Sequence, residues 1–136
     1  MEIVMPNPNT QNRREHEVGI LTGPLLTFDL DREIQQLQSE GRWQSGHTAK
    51  TLAKYPNLRI VLVVMKTGGR LDKHRTEGRI CVHPLLGRIQ FRTAERTVDL
   101  KAGQMLTLEG DLPHDVDALA DSAFLLTIAW PDSHSQ

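Results

Sequence analysis

Residues 68–87 read GGRLDKHRTEGRICVHPLLG, and residues 102–116 read AGQMLTLEGDLPHDV. The first segment contains His74 and His83 and the second contains His114, on short stretches between glycine-containing turns. Short stretches of alternating residues between such turns are typical of antiparallel strands. The two segments therefore predict an all-β domain.

The same pattern continues on both sides of these segments. The apolar runs IVLVVM at residues 60–65 and AFLLTIA at residues 123–129 are typical of strands that are buried on both faces. About nine short strands with turns between them predict a β-sandwich or a small barrel. The predicted strands are His47–Lys54, Arg59–Lys66, Arg70–Thr76, Arg79–Leu86, Arg88–Thr93, Arg96–Leu100, Gln104–Leu108, His114–Ala118 and Ala123–Trp130.

One short helix is predicted before the strands. Asp29 or Asp31 can cap its N-terminus, Ile34 and Leu37 share one face, and Gly41 ends it. Its three turns could plug one end of a barrel.

The 136 residues fit one domain, predicted over residues 17–131 between polar tails at 1–16 and 132–136. The net charge of −1 gives no basic excess that would indicate a nucleic-acid partner. No stretch approaches the roughly 18 apolar residues of a membrane span, and the N-terminus lacks the features of a secretory signal. A cytoplasmic protein with no membrane partner is predicted. The single cysteine, Cys81, excludes an internal disulfide.

The two quoted segments resemble the two motifs of the cupin superfamily. The first motif is a Gly, five residues, His-x-His, three or four residues, Glu, six residues and a Gly, and Gly68, His74 and Gly87 match it. The second is a Gly, five residues, Pro-x-Gly, two residues, His, three residues and an Asn, and Gly103 and His114 match it. The resemblance spans residues 59–130 and implies a double-stranded β-helix (jelly-roll) barrel.

The departures from these motifs fall on positions that carry the family's chemistry. In the family, the two histidines and the Glu of the first motif and the histidine of the second bind a divalent metal. Of these four positions only His74 and His114 are kept. The positions of the second His, the Glu, and the second-motif Pro, Gly and Asn hold Thr76, Ile80, Glu109, Asp111 and Ala118.

Strand alternation predicts that Asp72 and His74 point to the same face and can meet His114 inside the barrel. Two histidines and one carboxylate form the ligand pattern of non-haem iron sites. A site of His74, His114 and Asp72 for Fe, Mn, Ni or Zn is therefore one hypothesis. The other is a barrel without metal, in which Ile80 fills the space of the lost Glu.

Three more residues are candidates for ligand binding beside His74 and His114. His47 heads a strand and could face the barrel mouth. Arg70 and Arg79 flank the turn of the first motif, where a guanidinium could clamp a carboxylate ligand bidentately.

Two functions follow from these residues. The first is a barrel that binds a small molecule and keeps only a degenerate metal site. The second is a metal-dependent oxygenase or isomerase that uses His74, His114 and Asp72. The resemblance also implies a homodimer, with residues 18–28 as the pairing arm.

Overall fold

The structure is a computed structural model, and it describes residues 21–131. The predicted tails at 1–16 and 132–136 lie outside these residues. Within residues 21–131, one helix is followed by nine strands, as the sequence predicts. They are α1 (Leu30–Glu40), β1 (His47–Tyr55), β2 (Leu58–Met65), β3 (Arg70–His74), β4 (Arg79–Leu86), β5 (Arg88–Thr93), β6 (Thr97–Lys101), β7 (Leu106–Leu108), β8 (His114–Ala118) and β9 (Ser122–Ala129).

The strands form two antiparallel sheets that face each other. The five-stranded sheet has the order β1-β2-β9-β4-β7, and the four-stranded sheet has the order β3-β8-β5-β6. The main core lies between them and draws on both, with Val63, Phe124 and Ile80 from one sheet and Phe91 and Val116 from the other. The all-β prediction is confirmed.

The helix packs on the outer face of the five-stranded sheet. Asp29 caps it by accepting a hydrogen bond from the Arg32 backbone N–H, and the Gly41 N–H donates to the Leu37 carbonyl. Ile34 and Leu37 are buried in a second apolar cluster with outward-facing side chains of the sheet. The expectation that the helix plugs a barrel end is wrong. Strand β2 is apolar on both faces, so its outer face also needs an apolar cover.

The described part of the predicted pairing arm lies against its own chain. The Lys54 N–H donates to the Leu21 carbonyl, and the Tyr55 hydroxyl donates to the Gly23 carbonyl, both over 2.9 Å. These contacts hold residues 21–23 beside the end of β1. The homodimer stays a prediction.

The motif glycines occupy turns that only glycine adopts without strain. Gly68, Gly87 and Gly103 have φ of 82°, 79° and 90°. At Gly87, a Cβ atom would also lie 2.2 Å from the Asp121 carbonyl oxygen. Asp111, at the Gly position of the second motif, has φ 67°, a conformation that aspartate tolerates better than most residues.

Candidate functional site

Three histidines from three strands meet at one end of the barrel. His47 begins β1, His74 ends β3 and His114 begins β8. Because His74 and His114 are direct cross-strand partners, their ring centroids lie 4.4 Å apart with the edge of one ring towards the face of the other. His47 is close enough to His74 for its pKa to respond to the charge of that ring.

A shift in strand register turns His74 into the barrel. The pairing of β3 with β8 is regular at Arg70 and Leu71 and then shifts before His74. Leu71 is fully buried in the core, and His74, three residues later, also faces inward. Side chains three residues apart on a regular strand would face opposite ways, so the shift brings His74 to the site.

All three imidazoles are held in the same way. Nδ1 of His47 donates to the Arg70 carbonyl over 3.0 Å, Nδ1 of His74 to the Asp72 carbonyl over 2.5 Å, and Nδ1 of His114 to the Leu112 carbonyl over 2.9 Å. A carbonyl oxygen only accepts, so each Nδ1 carries the hydrogen. In the neutral ring, Nε2 is then the acceptor. The backbone thus presents three imidazoles in one tautomer.

Two glycines bring His47 to its carbonyl partner. The chain before β1 and the chain before β3 touch at Gly46 and Gly69, where a Cβ on Gly69 would lie 2.3 Å from the Gly46 carbonyl oxygen. The Arg70 N–H donates to the Ser45 carbonyl over 2.9 Å across the same approach. This backbone contact sets the start of β1 against the start of β3.

Burial lowers the pKa of His47 and of His114 below the ordinary value of 6.5. The carbonyl that accepts from each Nδ1 favours the charged ring, but the loss of solvation outweighs it. The Phe91 ring stacks on His114 with centroids 5.0 Å apart and supplies part of that burial. Both histidines are therefore neutral at pH 7.

These pKa shifts predict that stability falls in mild acid. The unfolded chain takes up protons on these two histidines near pH 6.5, whereas the folded chain resists them. The free energy of unfolding is therefore expected to decrease as the pH falls through about 6.5 and below. Urea denaturation across this range measures it. His47→Gln is expected to flatten the pH dependence; an equal slope in this variant and in the unchanged protein would contradict the prediction.

Asp72 does not join the histidines. Its side chain is 83% exposed and pairs with Arg70, whose Nε lies 3.3 Å from Oδ1. The expected shared face of Asp72 and His74 is wrong, because the register shift in β3 breaks the alternation between them. The Asp72 backbone carbonyl accepts from His74, and the Asp72 carboxylate acts on the site only through its charge, which raises the pKa of His47 against the larger effect of burial.

Arg70 and Arg79 lie outside the barrel. Arg70 pairs with Asp72 and Asp117, and Arg79 pairs with Glu109 over 3.0 Å. Both side chains are more than half exposed. The expected clamp at the mouth is therefore not formed, since each guanidinium already has a carboxylate partner on the outer surface.

The residues present do not fit the family's metal site. Within residues 21–131, no group of three or more His, Cys, Asp or Glu side chains is arranged to hold a metal ion. Ile80, at the Glu position, is 2% exposed and belongs to the core. Thr76, at the second His position, is buried, and its carbonyl accepts from the Asp111 N–H. Ile80 and Thr76 thus stand at two of the four positions that hold metal ligands in the family motifs.

One feature of the site was not predicted, which is that Phe91 stacks on His114. The contact of Phe91 with His114 depends on the pairing of β5 with β8, which sequence alone does not show.

Comparison with protein-family models gives no match, and comparison with the curated proteins gives none either. Among the described residues, no helix is long and apolar enough to cross a membrane.

Solved structures with a similar architecture include proteins described as cupins. A RmlC-like cupin from Shewanella frigidimarina is 11% identical with a TM-score of 0.65, and 83% of this chain aligns with 96% of that one. KdgF from Halomonas sp. is 23% identical with a TM-score of 0.59, over 70% of this chain and 92% of that one.

The third structure is a larger protein. Salicylate 1,2-dioxygenase from Pseudoaminobacter salicylatoxidans, as an adduct with gentisate, is 17% identical with a TM-score of 0.67. The match covers 81% of this chain and 34% of the dioxygenase chain. At these identities the likeness concerns the fold. The fold that the resemblance implies is thereby confirmed, and the chain has the cupin fold, an all-β jelly roll.

Proposed function

We propose that the protein binds a small molecule at the histidine end of its barrel and needs no metal to do so. One observation carries the proposal: His47, His74 and His114 converge there with every Nδ1 committed to a backbone carbonyl. Oriented imidazoles in an apolar enclosure are the few fixed polar groups that a ligand site requires.

The side chains around the three histidines favour ligand binding over catalysis. Phe91 stacks on His114, and Met65, the cross-strand partner of His47, is buried in the core. A general base needs a group that orients it and balances the charge it gains. The histidines are oriented by neutral carbonyls, and the nearby carboxylate of Asp72 is turned to solvent. Binding of a small molecule needs only the oriented histidines and the apolar side chains beside them, without a further charged group.

A metal-dependent oxygenase or isomerase is the second candidate function. The adjacent rings of His74 and His114 favour it, since imidazole suits Fe, Ni and Zn. It lacks a carboxylate ligand, because Ile80 stands at the Glu position and Asp72 faces outward.

Elemental analysis of the full chain, purified without a His-tag or chelator, separates the two candidates. We expect far less than one transition-metal ion per chain, and the same content in His74→Ala and His114→Ala. A near-stoichiometric metal that both variants lose would reject the metal-free proposal and make the enzyme the leading candidate. His83→Ala, which changes a histidine outside the cluster, is the matched control.

A further inference from the structure

Nε2 of His47 is a buried acceptor that nothing in residues 21–131 satisfies. The His47 side chain is 4% exposed, and its Nε2 has no hydrogen-bond partner among these residues. Its Nδ1 hydrogen is already donated to the Arg70 carbonyl, so Nε2 can only accept. A buried polar atom of this kind calls for a partner that donates a hydrogen bond.

Two threonine hydroxyl groups resemble Nε2 of His47 in their burial and hydrogen bonding. The Oγ1 atoms of Thr51 and Thr76 are buried without hydrogen-bond partners in the described part of the chain. Thr76 lies two residues after His74, whereas Thr51 lies four residues after His47, about 13 Å along β1 and out of reach of a small molecule held at His47. A hydroxyl donates or accepts, so that of Thr76 can adapt to a hydroxyl or amide group.

The charged side chains predicted at the site do not supply a charge to balance an ionic ligand. The carboxylate of Asp72 and the guanidinium groups of Arg70 and Arg79 lie outside, each within an ion pair. The position of the family's Glu holds the apolar Ile80. An ion buried there without a fixed opposite charge would lose its hydration uncompensated, and this cost favours an uncharged ligand.

The walls around His47 and His114 are apolar. Met65 pairs with His47 across β1 and β2, and both side chains face the interior. Phe91 lies flat against His114. These surfaces suit the hydrocarbon part of a ligand.

From the proposed binding function and this lining, we infer that the ligand is a small uncharged molecule with a hydroxyl or amide hydrogen. That hydrogen is donated to Nε2 of His47, and the apolar part of the molecule packs against Met65 and Phe91. The recognition is by neutral hydrogen bonds, with no ion pair.

Two matched sets of probes test this inference on the full chain. The first is benzyl alcohol, benzoate and benzylamine, which share a ring and differ in charge. The second is 1,2-propanediol, lactate and 1-amino-2-propanol, which share a smaller aliphatic body. Each is titrated at about pH 7.5, above the lowered pKa values of His47 and His114, with the imidazole proton resonances as the readout.

In at least one set the neutral alcohol is expected to bind about tenfold or more tightly than its two charged analogues. His47→Leu is expected to remove this preference, and His47→Gln, which keeps an acceptor oxygen, to retain most of it. His83→Leu is the control outside the cluster and is expected to bind like the unchanged protein. Unfolding curves confirm that the His47 variants are folded.

The other outcomes separate this inference from the proposed function. If benzoate or lactate binds most tightly through the same histidine resonances, the uncharged-ligand inference is wrong and the binding function stands. If a neutral probe binds equally well to His47→Leu, the assignment to Nε2 of His47 is wrong. If neither set moves the resonances of any histidine, the uncharged-ligand inference fails; the elemental analysis then judges the metal-free proposal separately.

Discussion

Phe91→Ala is expected to lower the free energy of unfolding by about 3–5 kcal/mol, the usual cost of deleting a fully buried phenylalanine ring. Phe91 is 2% exposed and lies in the core between the sheets, where neighbouring strands cannot close over the lost volume. Urea denaturation at constant pH measures the loss.

The same substitution is expected to raise the pKa of His114 towards its ordinary value. Burial is the largest cause of the lowered pKa, and the Phe91 ring covers one face of that imidazole. Removing the ring admits water to the histidine and favours its charged form. Titration of the His114 ring proton by NMR follows the shift.

Phe124→Ala is the matched control for this prediction. Phe124 is equally buried, in the same core, and the ring contacts of His114 in residues 21–131 are with His74 and Phe91. Its loss is expected to cost a similar free energy of unfolding and to leave the pKa of His114 in place. A pKa that rises equally in both variants would show that general loosening of the core, and not the stacked ring, controls His114.

Gly46→Ala is expected to destabilise the fold by about 3 kcal/mol or more, a value typical of severe backbone conflicts. Gly46 has φ +79°, and a Cβ there would lie 2.6 Å from the Gly69 Cα atom. The left-handed conformation alone costs about 1–2 kcal/mol for a residue with a side chain. The remainder comes from pushing apart the chains before β1 and β3.

Gly68→Ala separates these two contributions. Gly68 has φ +82°, but a Cβ there would meet no atom within 4 Å. It is expected to show only the conformational cost of about 1–2 kcal/mol. The hydrogen bond from His47 to the Arg70 carbonyl is expected to be lost in Gly46→Ala alone, with a changed NMR signal of the His47 Nδ1 hydrogen. Equal destabilisation by the two variants would mean that the Gly46–Gly69 contact does not hold the site together.

Much of the fold could be predicted from the sequence, because strands, turns and helix ends depend on residues that are close together in the chain. The apolar runs at 60–65 and 123–129 became β2 and β9 at the centre of the five-stranded sheet. The helix begins after Asp29 and ends before Gly41, because capping depends on residues within one turn of the helix end. The placement of that helix on the outer sheet face was missed, since it depends on which distant strands leave an apolar face uncovered.

The site was predicted only in part. His74 and His114 were identified by their spacing from turn glycines, and strand pairing does place their rings side by side. The predicted orientation of the Asp72 side chain was wrong. Strand alternation assumes a regular register, whereas the register shift before His74 depends on how β3 pairs with β8.

Local sequence patterns were enough to predict the all-β class, the helix limits, the turns and the two motif histidines, since each depends on neighbours along the chain. The tertiary structure sets which side chains face each other. It turned Asp72 outward, engaged Arg70 and Arg79 in surface ion pairs, and brought His47 to the Arg70 carbonyl. These outcomes depend on strand register and on a backbone approach between residues distant in sequence, which no local pattern encodes.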